Sequence, residues 1–326
     1  MSFIQEIDFN PIILLIIACE TILYSCGSSE NILFLQNVAK PSFLRVTDET
    51  KEEITTPIFF FMIISSSIVL LLIYYFMNYM FIVLKLLLLF SIFMSLSFVV
   101  WDWFCLVIPI SKVCNILTII LSLSISLIWL KTEHWMITDF ISFSLSVFAI
   151  SFIKINKLQI VYLVGIGFLI YDVWWVFLSP SVFGESVMVK AASSSVIHLP
   201  ISFSIPKRDS NSLIGTGDIV IPGIVLNFFL RCDKKYDIKI FNIGFICYVL
   251  GLIISWIMVN VMKKGQPALL WIFPLMLIPV SIKIYKSGFF NVIWSKGASP
   301  LEDKDYEEEE DLSYIFDDKE IKLKRD

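Results

Sequence analysis

The sequence predicts an all-α polytopic membrane protein of about nine transmembrane helices, and three observations carry that prediction. Hydrophobic residues make up 57% of the 326 and charged residues only 17%, against roughly 45–50% and about 25% in an ordinary soluble domain. The apolar residues fall in runs of about 20, the length a helix needs to cross the hydrocarbon core. Most of the charged residues collect in three connections, Ser28–Thr56, Ser179–Ser212 and the segment beyond Leu301.

Windows of that length place spans near residues 9–26, 57–76, 79–100, 104–130, 136–153, 158–179, 213–231, 239–261 and 266–286. The first is flanked by Glu6 and Asp8 without Lys or Arg, unlike the basic n-region of a cleavable signal peptide, so it reads as a retained span with an external N-terminus. The third to fifth run almost into one another. The sixth and seventh each contain an aspartate, and the ninth opens on Pro267, well placed at a helix start. Three regions follow: a bundle of about five spans over 1–156, a second membrane half over 157–286, and an acidic, solvated tail over 287–326. The tail's Glu307–Asp311 run cannot bury a core.

With the N-terminus outside, one side receives Lys40, Arg45, Lys51, Lys112, Lys154, Lys157, Arg231, Lys234, Lys235, Lys239 and the tail from Lys283. The other receives Lys131, Lys190, Lys207, Arg208, Lys263 and Lys264. The positive-inside rule therefore puts the C-terminus in the cytosol. A net charge of −4 without a basic face gives no purchase for nucleic acid. The six cysteines show no metal or disulfide spacing, so they read as packing residues, and no metal or cofactor is expected.

The informative residues are Asp172, in IVYLVGIGFLIYDVWWVFL, and Asp218, in LIGTGDIVIPGIVLNFFL. An acidic side chain at the centre of a membrane helix costs about 2.5–3.5 kcal/mol on insertion scales. Two of them that share a proton fit aspartic proteolysis, and equally the proton or cation site of a transporter or channel. Gly215 and Gly217 flank Thr216 just ahead of Asp218, where glycine lets a helix start unwind and backbone come close to a neighbour. Irregular backbone at membrane depth needs a wet or protein-lined cavity, so water is expected near Asp218.

Other polar residues have plainer readings. Glu20 and Lys85 read as snorkelling or bundle-facing, and Asp102 and Asp139, beside tryptophans, as interfacial. There is no HExxH motif, and neither His134 nor His198 falls within a span, which closes zinc-dependent and serine–histidine routes to intramembrane proteolysis.

Tyr171-Asp172, Gly215-Thr216-Gly217-Asp218 and Gln266-Pro267-Ala268-Leu269-Leu270 resemble, in order and spacing, the three signatures of the GxGD intramembrane aspartyl proteases of the signal peptide peptidase family. YDVWWVF, SVMVKAA, GTGDIVIPGIVL and FLRCD resemble its catalytic half, from about Lys157 to Ile284. Presenilins share this logic, but there the third motif runs directly into proline, whereas here Leu270 follows Leu269. Eight residues, LSPSVFGE, link WVF to SVMVKAA; that length resembles the signal-peptide-peptidase-like branch, including its "like 3" type, and leaves the subfamily open.

The resemblance implies a presenilin-like fold with Asp172 and Asp218 as catalytic carboxylates and Tyr171, Gly215, Thr216 and Gly217 in support. Gln266, Pro267, Ala268 and Leu269 would border the site and hold an unwound substrate, where a backbone edge could take up extended peptide as a strand. It implies single-span substrates in the bilayer, signal peptide remnants or type II membrane proteins, and leaves a homo-oligomer open. Lys322 and Lys324 have the spacing of a dilysine retrieval signal. The endoplasmic reticulum membrane is therefore the expected location, and the Golgi the alternative, with the N-terminus lumenal and the C-terminus cytosolic.

Overall fold

The computed structural model describes residues 10–29, 51–107, 112–132, 134–184, 199–206, 211–262 and 266–298. Helices follow the apolar runs: α1 (Asn10–Ser29), α2 (Thr56–Tyr75), α3 (Met77–Val107), α4 (Lys112–Thr132), α5 (Trp135–Phe152) and α6 (Leu158–Val173). A π-helical turn over Trp174–Leu178 and the short α7 (Ser179–Phe183) continue α6. Then come α8 (Gly217–Tyr236), α9 (Ile240–Met262), α10 (Leu269–Lys286) and α11 (Phe290–Ser295).

Among the described residues, eight helical segments are long and apolar enough to cross a membrane, α6 through α7 counting as one. The ninth expected span is α8. Asp218, Arg231, Asp233, Lys234 and Lys235 make it more polar, yet Ile219, Val225, Phe228 and Phe229 are fully buried. Helices α1, α5, α9 and α10 all touch it. Along much of its length it meets protein, where an acidic side chain such as that of Asp218 is less costly than against lipid. One core runs through both halves of the chain, from Leu14, Ile22 and Phe59 to Val225, Ile272 and Met276.

Two short strand pairs mark opposite ends of the bundle. At one, β1 (Glu52–Glu53) pairs in parallel with β2 (Ile153–Lys154). There Arg231 donates to the Asn156 side chain at 3.1 Å and to the Ile155 carbonyl, and Tyr236 donates to the Gly297 carbonyl at 2.8 Å. The segments that charge bias assigns to the cytosol are thus gathered together. At the other end, β3 (Ser202–Pro206) and β4 (Asn211–Gly215) form an antiparallel hairpin in the register Ser202↔Gly215, Phe203↔Ile214. It is tied to α5 where the Ser204 amide donates to Asp139 at 2.9 Å and the Ser142 hydroxyl to the Ser202 carbonyl at 3.2 Å.

Several expectations are corrected. The third helix continues through Val107 rather than ending at residue 100, and the fourth begins at Lys112 rather than at residue 104. Residues 213–215, expected to be helical, are the end of β4, since pairing with β3 satisfies their backbone. The connection after Ser179 is irregular only in part: its described residues form α7 and the hairpin. Asp102 is not interfacial but buried, accepting the Tyr24 hydroxyl at 3.2 Å, so an aspartate between tryptophans is here a link between α3 and α1. The region from 287 begins with α11, whose Ile293 is fully buried. SVMVKAA, His198, the acidic run and the dilysine spacing lie outside the described residues.

Small residues set the helix spacing, as expected where lipid offers no hydrophobic drive to association. A Cβ on Gly251 of α9 would stand 2.8 Å from the Ile272 Cα of α10, a backbone atom that cannot turn aside. Gly251→Ala should therefore destabilise the bundle by about 1–3 kcal/mol, read as a lower thermal midpoint in detergent. An unchanged midpoint would contradict this contact.

Candidate active site

Asp172 reaches the interior because α6 lies antiparallel on α10. The Tyr162 and Ser281 hydroxyls are hydrogen-bonded, a Cβ on Gly165 would meet Phe273 at 2.9 Å and Leu277 at 3.1 Å, and Asp172 meets Leu269. Its carboxyl is buried, with the Leu269 amide hydrogen-bonded to it and Oδ2 without a partner. Leu269 is the first residue of α10, and the opening amides of a helix have no intrahelical acceptor. Pro267 and Ala268 make the turn that aims this amide, since the Pro267 carbonyl accepts from Leu270 and the Ala268 carbonyl from Trp271 and Ile272. The Pro-Ala-Leu sequence thus starts a helix and delivers a donor to an aspartate in one arrangement. The π-helical turn directly after Val173 re-aims the chain beyond Asp172, a feature frequent at functional sites.

Asp218 is the second residue of α8, held from three sides. The hairpin delivers it: Thr216 donates through both its amide and its hydroxyl to the Ile201 carbonyl, at 3.0 and 2.9 Å. Beneath it α8 packs on α5, with Gly223 against Ile150 and the Asn227 amide donating to the Ile150 carbonyl at 3.2 Å. From α9, the Tyr248 hydroxyl donates to the Asp218 carbonyl at 3.3 Å. The Asp218 carboxyl lies within electrostatic reach of Asp172.

The two flanking glycines differ. A Cβ on Gly215 would stand 3.3 Å from Asp218 Oδ2, whereas one on Gly217 would meet nothing within 4 Å. Neither has positive φ, so Gly215 acts by leaving room for the carboxyl rather than by an unusual backbone.

A cavity of about 420 Å³ opens onto Asp218, walled by Leu213–Gly215 of the hairpin, Leu252 and Ser255 of α9, Gln266 and Ala268, and by α1 from Pro11 to Leu15. Tyr171 is placed elsewhere. It hydrogen-bonds Ser66 and Ser67 of α2 and lines a separate apolar groove of about 610 Å³ between α2 and α6. Of the expected site residues, the structure brings Asp172 to Leu269 and gathers Asp218, Gly215, Gln266 and Ala268 around one cavity. Sequence reasoning missed the α1 wall, Ser255 and Tyr248. A serine in the apolar run of α9 was a signal, whereas nothing in the composition of α1 marks it. Among the described residues, no group of three or more His, Cys, Asp or Glu side chains could hold a metal.

An apolar helical bundle that brings two carboxylates within electrostatic reach of each other, each beside a helix start, defines a polytopic membrane protein with an acidic interior site. A profile of the family described as Signal peptide peptidase matches residues 46–300, and the chain belongs to that family. Relatives include Signal peptide peptidase-like 2A of Mus musculus, 31% identical over 201 residues, which are 55% of this chain and 38% of that protein. Signal peptide peptidase-like 2 of Arabidopsis thaliana is 32% identical over 176 residues, 50% of this chain and 32% of that protein. Signal peptide peptidase of Mus musculus is 30% identical over 170 residues, 48% and 43% respectively. The matches thus cover less than half the length of these relatives. No solved structure matches the chain.

The cavity beside Asp218 should hold water. In a background without the native cysteines, Ser255→Cys should react with a small water-soluble thiol reagent, and Phe273→Cys, fully buried between α6 and α10, should resist it. Equal resistance at both positions would make the cavity dry.

Proposed function

We propose that this chain is an intramembrane aspartyl endopeptidase that cleaves transmembrane segments. The carrying observation is that Asp172 on α6 and Asp218 on α8 lie within electrostatic reach of each other inside an apolar bundle, beside a cavity with room for water and peptide. One carboxylate, ionised, takes a proton from a water; the other, protonated, donates to the scissile carbonyl oxygen as the water attacks. Two carboxylates that share a proton titrate as a pair, so the roles belong to the dyad rather than to either residue.

The substrate must be extended at the scissile bond, because a helical peptide bond is hydrogen-bonded and sheathed by side chains. Strand β4 supplies a surface for that form. It pairs with β3 on one edge, and its Leu213–Gly215 line the cavity immediately before Asp218. An extended segment laid along the opposite edge would gain backbone hydrogen bonds beside the carboxylates. Gln266, Pro267, Ala268 and Leu269 border the same space, and Tyr171 supports the site by fastening α6 to α2. Single-span type II proteins and signal peptide remnants, with cytosolic N-termini, fit this reading. So does residence in the endoplasmic reticulum membrane, or alternatively the Golgi, with this chain's N-terminus lumenal and its C-terminus cytosolic.

Purified chain in detergent should cleave a type II transmembrane peptide, and Asp172→Asn or Asp218→Asn should each lower kcat by a factor of about 10³ or more. Cleavage that survives both substitutions would overturn the assignment and favour a paired-carboxylate transport site. Gly215→Ala should lower kcat about tenfold by displacing the Asp218 carboxyl, and Gly217→Ala, which opens on free space, should lose far less. The reverse order would contradict the spatial role given to Gly215.

A further inference from the structure

A proline within a helix removes the hydrogen bond to the residue four positions earlier, and its ring presses that residue's carbonyl outward. In α8 Pro222 stands four residues after Asp218. The carbonyl that loses its helical donor therefore belongs to an aspartate of the dyad, in the first turn of the helix.

Tyr248 of α9 meets this carbonyl. Its side chain is fully buried, and its hydroxyl donates to the Asp218 carbonyl at 3.3 Å. Buried tyrosine hydroxyls are retained where they find a partner; packing alone would be served by phenylalanine. The ring's position is fixed one turn to either side. Gly244 brings α9 against Phe229 and Leu226 of α8, and Gly251 brings it against Ile272 of α10.

We propose that Tyr248 is a positioning residue for Asp218: its hydroxyl replaces the helical hydrogen bond that Pro222 removes, and so fixes the first turn of α8, with its carboxyl, relative to Asp172. The proposal rests on the protease reading above. The pairing has a logic within the fold. Proline frees the opening turn of α8 to follow the hairpin, and a rigid neighbouring helix takes over the restraint that proline gave up.

The test is a four-member cycle of wild type, Tyr248→Phe, Pro222→Ala and the double variant, on the full chain in detergent with a type II transmembrane peptide. At 3.3 Å the bond is long for a hydroxyl donor, so Tyr248→Phe should lower kcat about tenfold, with KM unchanged and the thermal midpoint only slightly lowered. With Pro222→Ala the backbone again supplies a donor to Asp218, and adding Tyr248→Phe should then cost about twofold or less. A wild-type kcat in Tyr248→Phe, or the same loss in both backgrounds, overturns the proposal.

If Pro222→Ala does not fold, the pH–rate profile of Tyr248→Phe decides. A displaced profile supports positioning of the dyad, and a wild-type profile, at any kcat, overturns it. Asp218→Asn separates the two claims. An inactive Asp218→Asn beside a silent Tyr248→Phe removes only the role of Tyr248, whereas an active Asp218→Asn removes the protease reading and this proposal together.

Discussion

Two carboxyl groups held inside an apolar bundle are the constraint around which the rest of this molecule is arranged. Each is expensive there unless it is neutral, paired or hydrogen-bonded. Asp172 is met by the first amide of α10, and Asp218 stands at the start of α8 behind a strand hairpin. The first solution uses a backbone group that a regular helix leaves free at its end, and the second places the carboxyl itself at a helix start. They also need helix starts at membrane depth, which only a surrounding protein wall permits. Helix α8 has that wall on several sides, in α1, α5, α9 and α10.

Close helix contact follows from the same need. Gly165, Gly223, Gly244 and Gly251 each face a neighbouring helix with no space for a methyl group without some movement. Buried hydroxyls on the small faces are satisfied locally: Thr21 donates to Ile17 at 2.6 Å, Ser142 to Thr138 at 2.9 Å and Ser146 to Ser142 at 2.7 Å. The interior therefore gains smooth, closely packed surfaces with little polar demand of its own. Polar contacts between helices include the Tyr24–Asp102 link between α1 and α3, the Trp129–Thr138 bond between α4 and α5, and the Asn227 amide on the Ile150 carbonyl.

Much of this was legible before the fold was known, for a physical reason. A charge in an apolar run stands out because its cost is large compared with any packing benefit, so Asp172 and Asp218 could be picked out at once. The Pro-Ala-Leu helix start was legible too, because proline has a preferred place there. The hairpin was not: SFSIP and NSLIG are five residues each, and their pairing is a relation between segments that no single window contains. The Tyr24–Asp102 bond across 78 residues of chain and the α1 wall of the cavity were hidden for the same reason. Gly217 was misread in the other direction. Its motif position implied a close approach, but the space beside it is open.

The central claim is that carboxylates from two separate helices form one site, and binding of a hydroxyethylene peptide isostere, which mimics the tetrahedral intermediate, tests it without requiring turnover. The account predicts one saturable site per chain, with affinity lowered about tenfold or more by Asp172→Asn or by Asp218→Asn and little further by the double substitution, because groups that act as a unit are not additive. Losses that simply multiply in the double variant, or binding indifferent to either aspartate, would show two independent acids and contradict the account.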